Sequence, residues 1–303
     1  MFFCNYKHIF IMIEPNIPEA LLEIIRKQLN INPEILSIEE KGGGSINAAA
    51  IIRTDMGAFF AKWNSLEGRK GMFAEEAFGL NTLAGTGSIR VPKVIGSNED
   101  SERCYLIMEH IDSGDFGIDF WEDFGTRLAR LHRNSNEKFG FQRDNFIGSL
   151  PQQNKQCNTW AEFFAQYRIE PQLKRAVDSG KADNALVHKF ENLFAKLNEI
   201  FPDEKPALLH GDLWGGNFMC SLHGEPVIFD PAVYYGNREM DIAMTRLFGG
   251  FDTEFYDAYH AEFPLVAGYE KRFDICNLYP LLVHVNLFPG SYIQSVKHIV
   301  NRF

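Results

Sequence analysis

The chain has 303 residues, long enough for one large domain or two lobes, and its 45 % apolar and 23 % charged content is that of an ordinary globular protein. A formal net charge of −10 argues against a general nucleic-acid binder, which needs a basic face, yet leaves nucleotide binding open, since a few lysines and backbone N–H groups can handle phosphates. The five cysteines (Cys4, Cys104, Cys157, Cys220 and Cys276) are scattered and form no CxxC pair, which suits a reducing cytoplasm and argues against a zinc site.

In chain order, the first apolar run is Ile9-Phe10-Ile11-Met12-Ile13, too short to span a bilayer and followed by no small-residue cleavage site. An extra strand, a tail, or an upstream start ahead of Met12 all remain open. Asn16 is placed to cap a helix beginning near Pro18, with Leu21, Leu22, Ile25 and Leu29 on its apolar face. Strands are expected at 35–38, 50–53 and 58–63, with a turn of Gly42, Gly43, Gly44 and Ser45 after the first. No Cβ intervenes at such a turn, so its N–H groups can approach phosphates, although a glycine triplet is more often just a flexible hairpin. Lys62 lies on the third apolar strand, where an inward lysine is costly unless paired; the alternative is a solvent-facing lysine on an edge strand. A helix over 72–83 carries Phe73, Ala77, Leu80 and Leu83, and strands at 91–95 and 105–108 complete the set. Glu109-His110-Ile111 reads as a hinge. Helices are then expected over 120–132, 160–177 and 185–200, ahead of a helical C-terminal third.

The segment His210-Gly211-Asp212-Leu213-Trp214-Gly215-Gly216-Asn217 is followed, thirteen residues past its Asn, by Asp230 at the end of Val227-Ile228-Phe229. A carboxylate followed five positions later by an amide, then a second carboxylate, is the layout of a phosphotransferase catalytic loop. Asp212 suits the acceptor of a substrate hydroxyl's proton, and Asn217 and Asp230 suit Mg²⁺, which takes hard oxygen ligands. The apolar runs at 207–209 and 227–229 read as short strands, with His223-Gly224-Glu225 as the turn between them. HGD alone is weak; HGDxxxxN followed at this distance by an apolar strand ending in Asp is strong.

HGDLWGGN together with VIFDPAVYYGNREMDIAMTRLFGGF (residues 227–251) resembles the fructosamine kinase (ketosamine-3-kinase) family. The resemblance implies an α+β, bilobal protein-kinase-like fold, with a small antiparallel-sheet lobe over 12–108 and a larger, mostly helical lobe over 109–303. It implies a cytoplasmic enzyme that uses ATP and Mg²⁺ to phosphorylate the 3-hydroxyl of free or protein-bound ketosamines, a deglycation repair. No nucleic-acid or membrane partner is expected, and the oligomeric state stays open. On this reading Gly43, Gly44 and Ser45 cover the nucleotide, Met108, Glu109 and Ile111 meet it at the hinge, and Lys62 pairs with a helix glutamate. The pattern MFxxExxxL favours Glu76 for that pair, with Glu75 still possible. Trp214 is either a wall of the sugar-amine pocket or a core anchor. His132 and His210 read as structural hydrogen-bonders; Arg238, Glu239 and Asp241 either tie down the metal loop or line the substrate cleft, with the structural ion-pair reading first for Arg238 and Asp241. The family's redox-active cysteine near the glycine turn is missing here, so that regulation is not expected. The competing readings are another small-molecule kinase, of aminoglycoside, choline or methylthioribose type, and a pseudokinase scaffold, against which the intact motif argues.

Overall fold

The computed structural model describes residues 16–42 and 47–303; the expectations for the first thirteen residues and for Gly43, Gly44 and Ser45 lie outside these. Helix α1 (Asn16–Leu29) is followed by β1 (Ile35–Glu40), β2 (Ala48–Thr54), β3 (Gly57–Ser65), α2 (Met72–Gly85), β4 (Val94–Glu99) and β5 (Arg103–Glu109). The strands form one antiparallel sheet in the order β1-β2-β3-β5-β4. Side chains alternate across a strand, so β3 divides its residues between two environments. Phe59, Ala61 and Trp63 join Ile52, Tyr105 and Ile107 beneath α1 in a small core of their own. Phe60 and Lys62 occupy the alternate positions, on the face toward α2 and the cleft. On β5 the alternate set, Cys104, Leu106 and Met108, belongs with Phe73 and Leu80 of α2 to the main core of the molecule. The sheet's inner face is therefore continuous with the helical part.

After the sheet come α3 (Phe120–His132), the hairpin β6 (Asn145–Ile147) and β7 (Leu150–Gln152), α4 (Trp160–Phe163), a π-helical turn (Phe164–Ile169) and α5 (Glu170–Asp178). The expected helix over 160–177 is thus interrupted by an i→i+5 turn. The one expected over 185–200 splits into α6 (Asn184–Phe194) and α7 (Leu197–Ile200). Next are β8 (Ala207–Leu209), β9 (Phe218–Cys220), β10 (Pro226–Ile228) and β11 (Tyr234–Gly236), followed by α8 (Glu239–Leu247), α9 (Thr253–Glu262), α10 (Tyr269–Cys276), α11 (Leu278–Leu287) and α12 (Tyr292–Val300). Two expectations need correction. The turn at 223–225 joins β9 to β10, while β8 pairs with β11; Phe218-Met219-Cys220, hidden directly behind the Asn217 motif, is the true partner of the second apolar run. The strand expected at 91–95 begins only at Val94, because Pro92 has no N–H for a ladder and Arg90 instead bridges in parallel to Val227. No helix among the described residues is long and apolar enough to cross a membrane.

Candidate active site

Three elements distant in sequence meet at Lys62. Its Nζ donates to Glu76 Oε1 at 2.8 Å and to Asp230 Oδ1 at 2.9 Å, and its side chain is only 5 % exposed. Glu75, one position away on α2, turns instead to Arg143 at 3.4 Å, whose guanidinium lies over the Phe78 ring. The rotation of about 100° per helical residue decides which glutamate faces the lysine. Burial by itself would lower the Lys62 ammonium, but Asp230 and Glu76 outweigh it and hold it above its ordinary value. Burial drives Glu76 upward, opposed by Lys62 and reinforced by Asp230, which shares the same ammonium.

The loop after β8 is suspended from one carboxylate. Asp241, on α8, accepts the backbone N–H of His210 at 2.7 Å and of Gly211 at 2.9 Å, and His132 Nε2 lies 3.1 Å from it. His132 Nδ1 is left to accept the Tyr259 hydroxyl at 2.8 Å. Burial works against the Asp241 charge, but these partners win and hold it below the usual carboxylate range. His210 bridges two loops: its Nε2 is 2.9 Å from the Phe229 carbonyl and its Nδ1 accepts the Asp212 N–H at 3.2 Å. A carbonyl only accepts, so the ring is the Nε2–H tautomer, and both nitrogens are committed to backbone. Burial lowers its pKa further. Gly211, at φ +85°, abuts Ala232, whose carbonyl oxygen any Cβ there would strike. Asp212 is pushed up to about 7 by burial, with the charge of Asp230 adding to it.

Asn217 Nδ2 donates to the Asp212 carbonyl at 2.8 Å and to its Oδ2 at 3.2 Å, which aims the amide oxygen away from Asp212. The N–H of Phe229 donates to Asn217 O at 3.0 Å, so β9 and β10 bring Asn217 next to Asp230. Asp230 has φ 57°, a left-handed conformation that is rare outside glycine and clusters at functional sites. An amide oxygen and a carboxylate, both hard and adjacent, fit Mg²⁺.

These residues line a cleft of about 480 Å³. Trp214 stands on its wall 38 % exposed, edge-to-face with Phe248 and folded over Gly216, where a Cβ would collide with the indole. The cleft is also lined by residues with no motif to mark them: Asn145, Phe146 and Gly148 from the β6–β7 hairpin, and His284, Leu287 and Phe288 from α11 and its end. His284 Nδ1 lies 2.8 Å from the Pro280 carbonyl, so it carries the proton, and Nε2 is the acceptor of a ring packed between Phe248 and Phe288. Burial lowers its pKa and favours that neutral form. A lone histidine in the apolar run LYPLLVHVNL was the only signal available. Met108, Glu109 and Ile111 are not among the lining residues; the Glu109 carboxylate turns to Arg90 at 2.8 Å. Arg238 pairs with Glu204 and Glu239 with Arg272, away from the cleft.

The sequence model described as fructosamine kinase matches residues 18–303. The chain belongs to the fructosamine kinase family. A protein-ribulosamine 3-kinase of Arabidopsis thaliana is 41 % identical over 275 residues, covering 89 % of this chain and 83 % of its own length. A Synechocystis protein named as a probable ketoamine kinase is 40 % identical over 265 residues, covering 86 % of this chain and 88 % of its own. A crystal structure named for fructosamine-3-kinase, from Haemophilus somnus 129PT, superposes with a TM-score of 0.84 at 29 % identity, covering 93 % of this chain and 96 % of that one. An amicoumacin kinase solved with AMP-PNP shares the fold at a TM-score of 0.58 and 15 % identity. The fold is α+β and protein-kinase-like, with the sheet-bearing N-terminal part and the helical C-terminal part expected of the fructosamine kinase family.

Proposed function

We propose that this protein is an ATP-dependent kinase that phosphorylates a hydroxyl of ketosamines, the 3-hydroxyl by family pattern, and so repairs glycated amines. The observation that carries this reading is a single cleft lined both by the Lys62–Glu76–Asp230 charge cluster and by Asp212, Trp214 and His284. Lys62, kept charged by its two carboxylates, faces the polyphosphate, and Glu76 fixes its direction. The oxygens of Asn217 and Asp230 would hold Mg²⁺, which when bound neutralises charge on the β- and γ-phosphates. Asp212 orients the attacking hydroxyl and takes its proton as the new O–P bond forms and the bond to ADP breaks. The indole of Trp214 suits the apolar face of a sugar or the ammonium beside it. His284 Nε2 offers an acceptor to a hydroxyl or N–H on the same ligand.

The names of the relatives, a ribulosamine 3-kinase and a ketoamine kinase, support this class of substrate. The test is ADP release with fructosamine, ribulosamine and erythrulosamine adducts, with choline and kanamycin as controls. Turnover on a ketosamine with neither control used is the expected result. Turnover on a control alone would keep phosphotransfer and discard the ketosamine assignment.

A further inference from the structure

Behind the Asp230 loop lies a buried polar layer that the proposed reaction does not use. Arg168 is 0 % exposed, and its donors go to neutral groups: Nη1 to the carbonyls of Gln153 at 2.7 Å and Tyr167 at 2.9 Å, and Nη2 to Asn154 Oδ1 at 2.6 Å. Its Nε has no partner, and the guanidinium lies 3.9 Å from the centre of the Tyr234 ring. A buried cation without a carboxylate is costly, and the π-helical turn Phe164–Ile169 that carries it is an uncommon local structure, frequent at functional sites. Two unfavourable choices at one residue point to a role beyond local packing.

The contacts lead forward to the site. Asn154 Nδ2 donates to Asn145 Oδ1 at 2.9 Å, and Gln152 Nε2 donates to the same oxygen at 2.7 Å. That shared acceptor fixes which way the Asn145 amide faces, so its Nδ2 reaches the Val233 carbonyl at 2.8 Å. Gln152 Nε2 also reaches the Ala232 carbonyl at 3.1 Å, and the Tyr279 hydroxyl locks Gln152 from behind at 2.6 Å. The two carbonyls so held follow Pro231, directly after Asp230 with its left-handed backbone. Such a conformation persists only when its surroundings over-determine it, and a satisfied buried network is rigid enough to do so.

We propose that Arg168 is a positioning residue that acts through Asn154, Asn145 and Gln152 to hold Asp230 in the geometry of a metal ligand. The inference rests on the assignment of Asp230 to Mg²⁺. It is tested by calorimetry of AMP-PNP binding with and without Mg²⁺, and by kcat, for wild type, Arg168→Met and Gln152→Ala at a temperature where circular dichroism shows each protein folded. Supporting contacts behind metal ligands typically change metal affinity about 10- to 100-fold, so the Mg²⁺-dependent gain in AMP-PNP affinity should fall by about that factor, with kcat falling alongside. Metal-free AMP-PNP affinity should stay within about twofold, since Lys62 keeps its pairing with Glu76 when Asp230 shifts. Should Arg168→Met not fold, Gln152→Ala decides, because it keeps Arg168 and removes the donor to Ala232 and Asn145 together with the acceptor of the Tyr279 hydroxyl. A folded variant that keeps the wild-type Mg²⁺ gain overturns the proposal. A wild-type protein with no Mg²⁺ gain would instead remove the metal assignment itself, and this inference with it.

Discussion

The loop carrying Asp212 and the loop carrying Asp230 meet where the Ala232 N–H donates to the His210 carbonyl at 2.9 Å, and opposite chemistry holds each of them. The first presents N–H groups to its support, and an ionised carboxylate, Asp241, receives two of them. The second presents carbonyls, and neutral carboxamides, Asn145 and Gln152, donate to them. A backbone N–H needs an acceptor behind it and a backbone carbonyl needs a donor, so the direction in which each peptide faces limits the residue types that can support it. The difference has a consequence for pH. One support is titratable and the other is not.

The largest expected effect lies in what the first loop carries. Asp212→Asn keeps the loop's shape and removes the proposed proton acceptor, so kcat should fall by roughly two to four powers of ten while nucleotide affinity stays nearly intact. Steady-state kinetics with calorimetry of AMP-PNP checks this; a near wild-type kcat would take the base role away from Asp212.

Next in size is the carboxylate support itself. Asp241→Asn puts an amide where two N–H donors and His132 converge, and should cost about 2–4 kcal/mol of folding stability, the usual range for leaving buried partners unsatisfied. Asp241 is held below its ordinary value in the folded protein. Its stabilisation is therefore complete above the unfolded-state value of about 4 and is lost as pH falls through the lower folded value. Urea melts from pH 7 down to pH 3 should show wild type losing this contribution below about pH 4, with the Asp241→Asn variant flatter over the same interval. Parallel curves for the two proteins would show that the first loop does not depend on the charge.

The smallest effect sharpens what rides on the first loop. Trp214→Ala should raise KM for a ketosamine by roughly 5- to 150-fold, the worth of about 1–3 kcal/mol of aromatic contact, with much less change in KM for ATP or in Tm. Trp214→Phe should recover part of the loss. Equal damage to both KM values, together with a lower Tm, would mean that the indole supports the loop and does not bind the sugar.

Much of the front of the site was legible because one short stretch of chain carries it. Asp212, Asn217 and Asp230 lie within a single loop–hairpin unit, and their types and spacing express a chemical requirement directly. Lys62 was legible as a cation on an apolar strand, and the helix pattern favoured Glu76 as its partner; excluding Glu75 waited on the rotation of α2 and on Arg143 as the rival partner. Strands of three residues, such as β9 and β11, leave too little periodicity to detect. The amide layer was invisible for a different reason. Asn145, Gln152 and Asn154 look like ordinary polar loop residues until folding removes water from around them.

By itself, then, the sequence determined most of the strands and helices and the spacing of Asp212, Asn217 and Asp230, because alternation and motif spacing are local properties of the chain, and the resemblance those residues carry implied the reaction class and the kinase-like α+β architecture. The tertiary structure closed the choice between Glu75 and Glu76, which the pattern had tilted to Glu76, and it alone decided which nitrogen of His210 and His284 carries the proton and what stands behind Ala232 and Val233. Each of those depends on a group from a distant segment arriving within hydrogen-bond distance. No local period encodes such a meeting; only the packing of the whole chain brings it about.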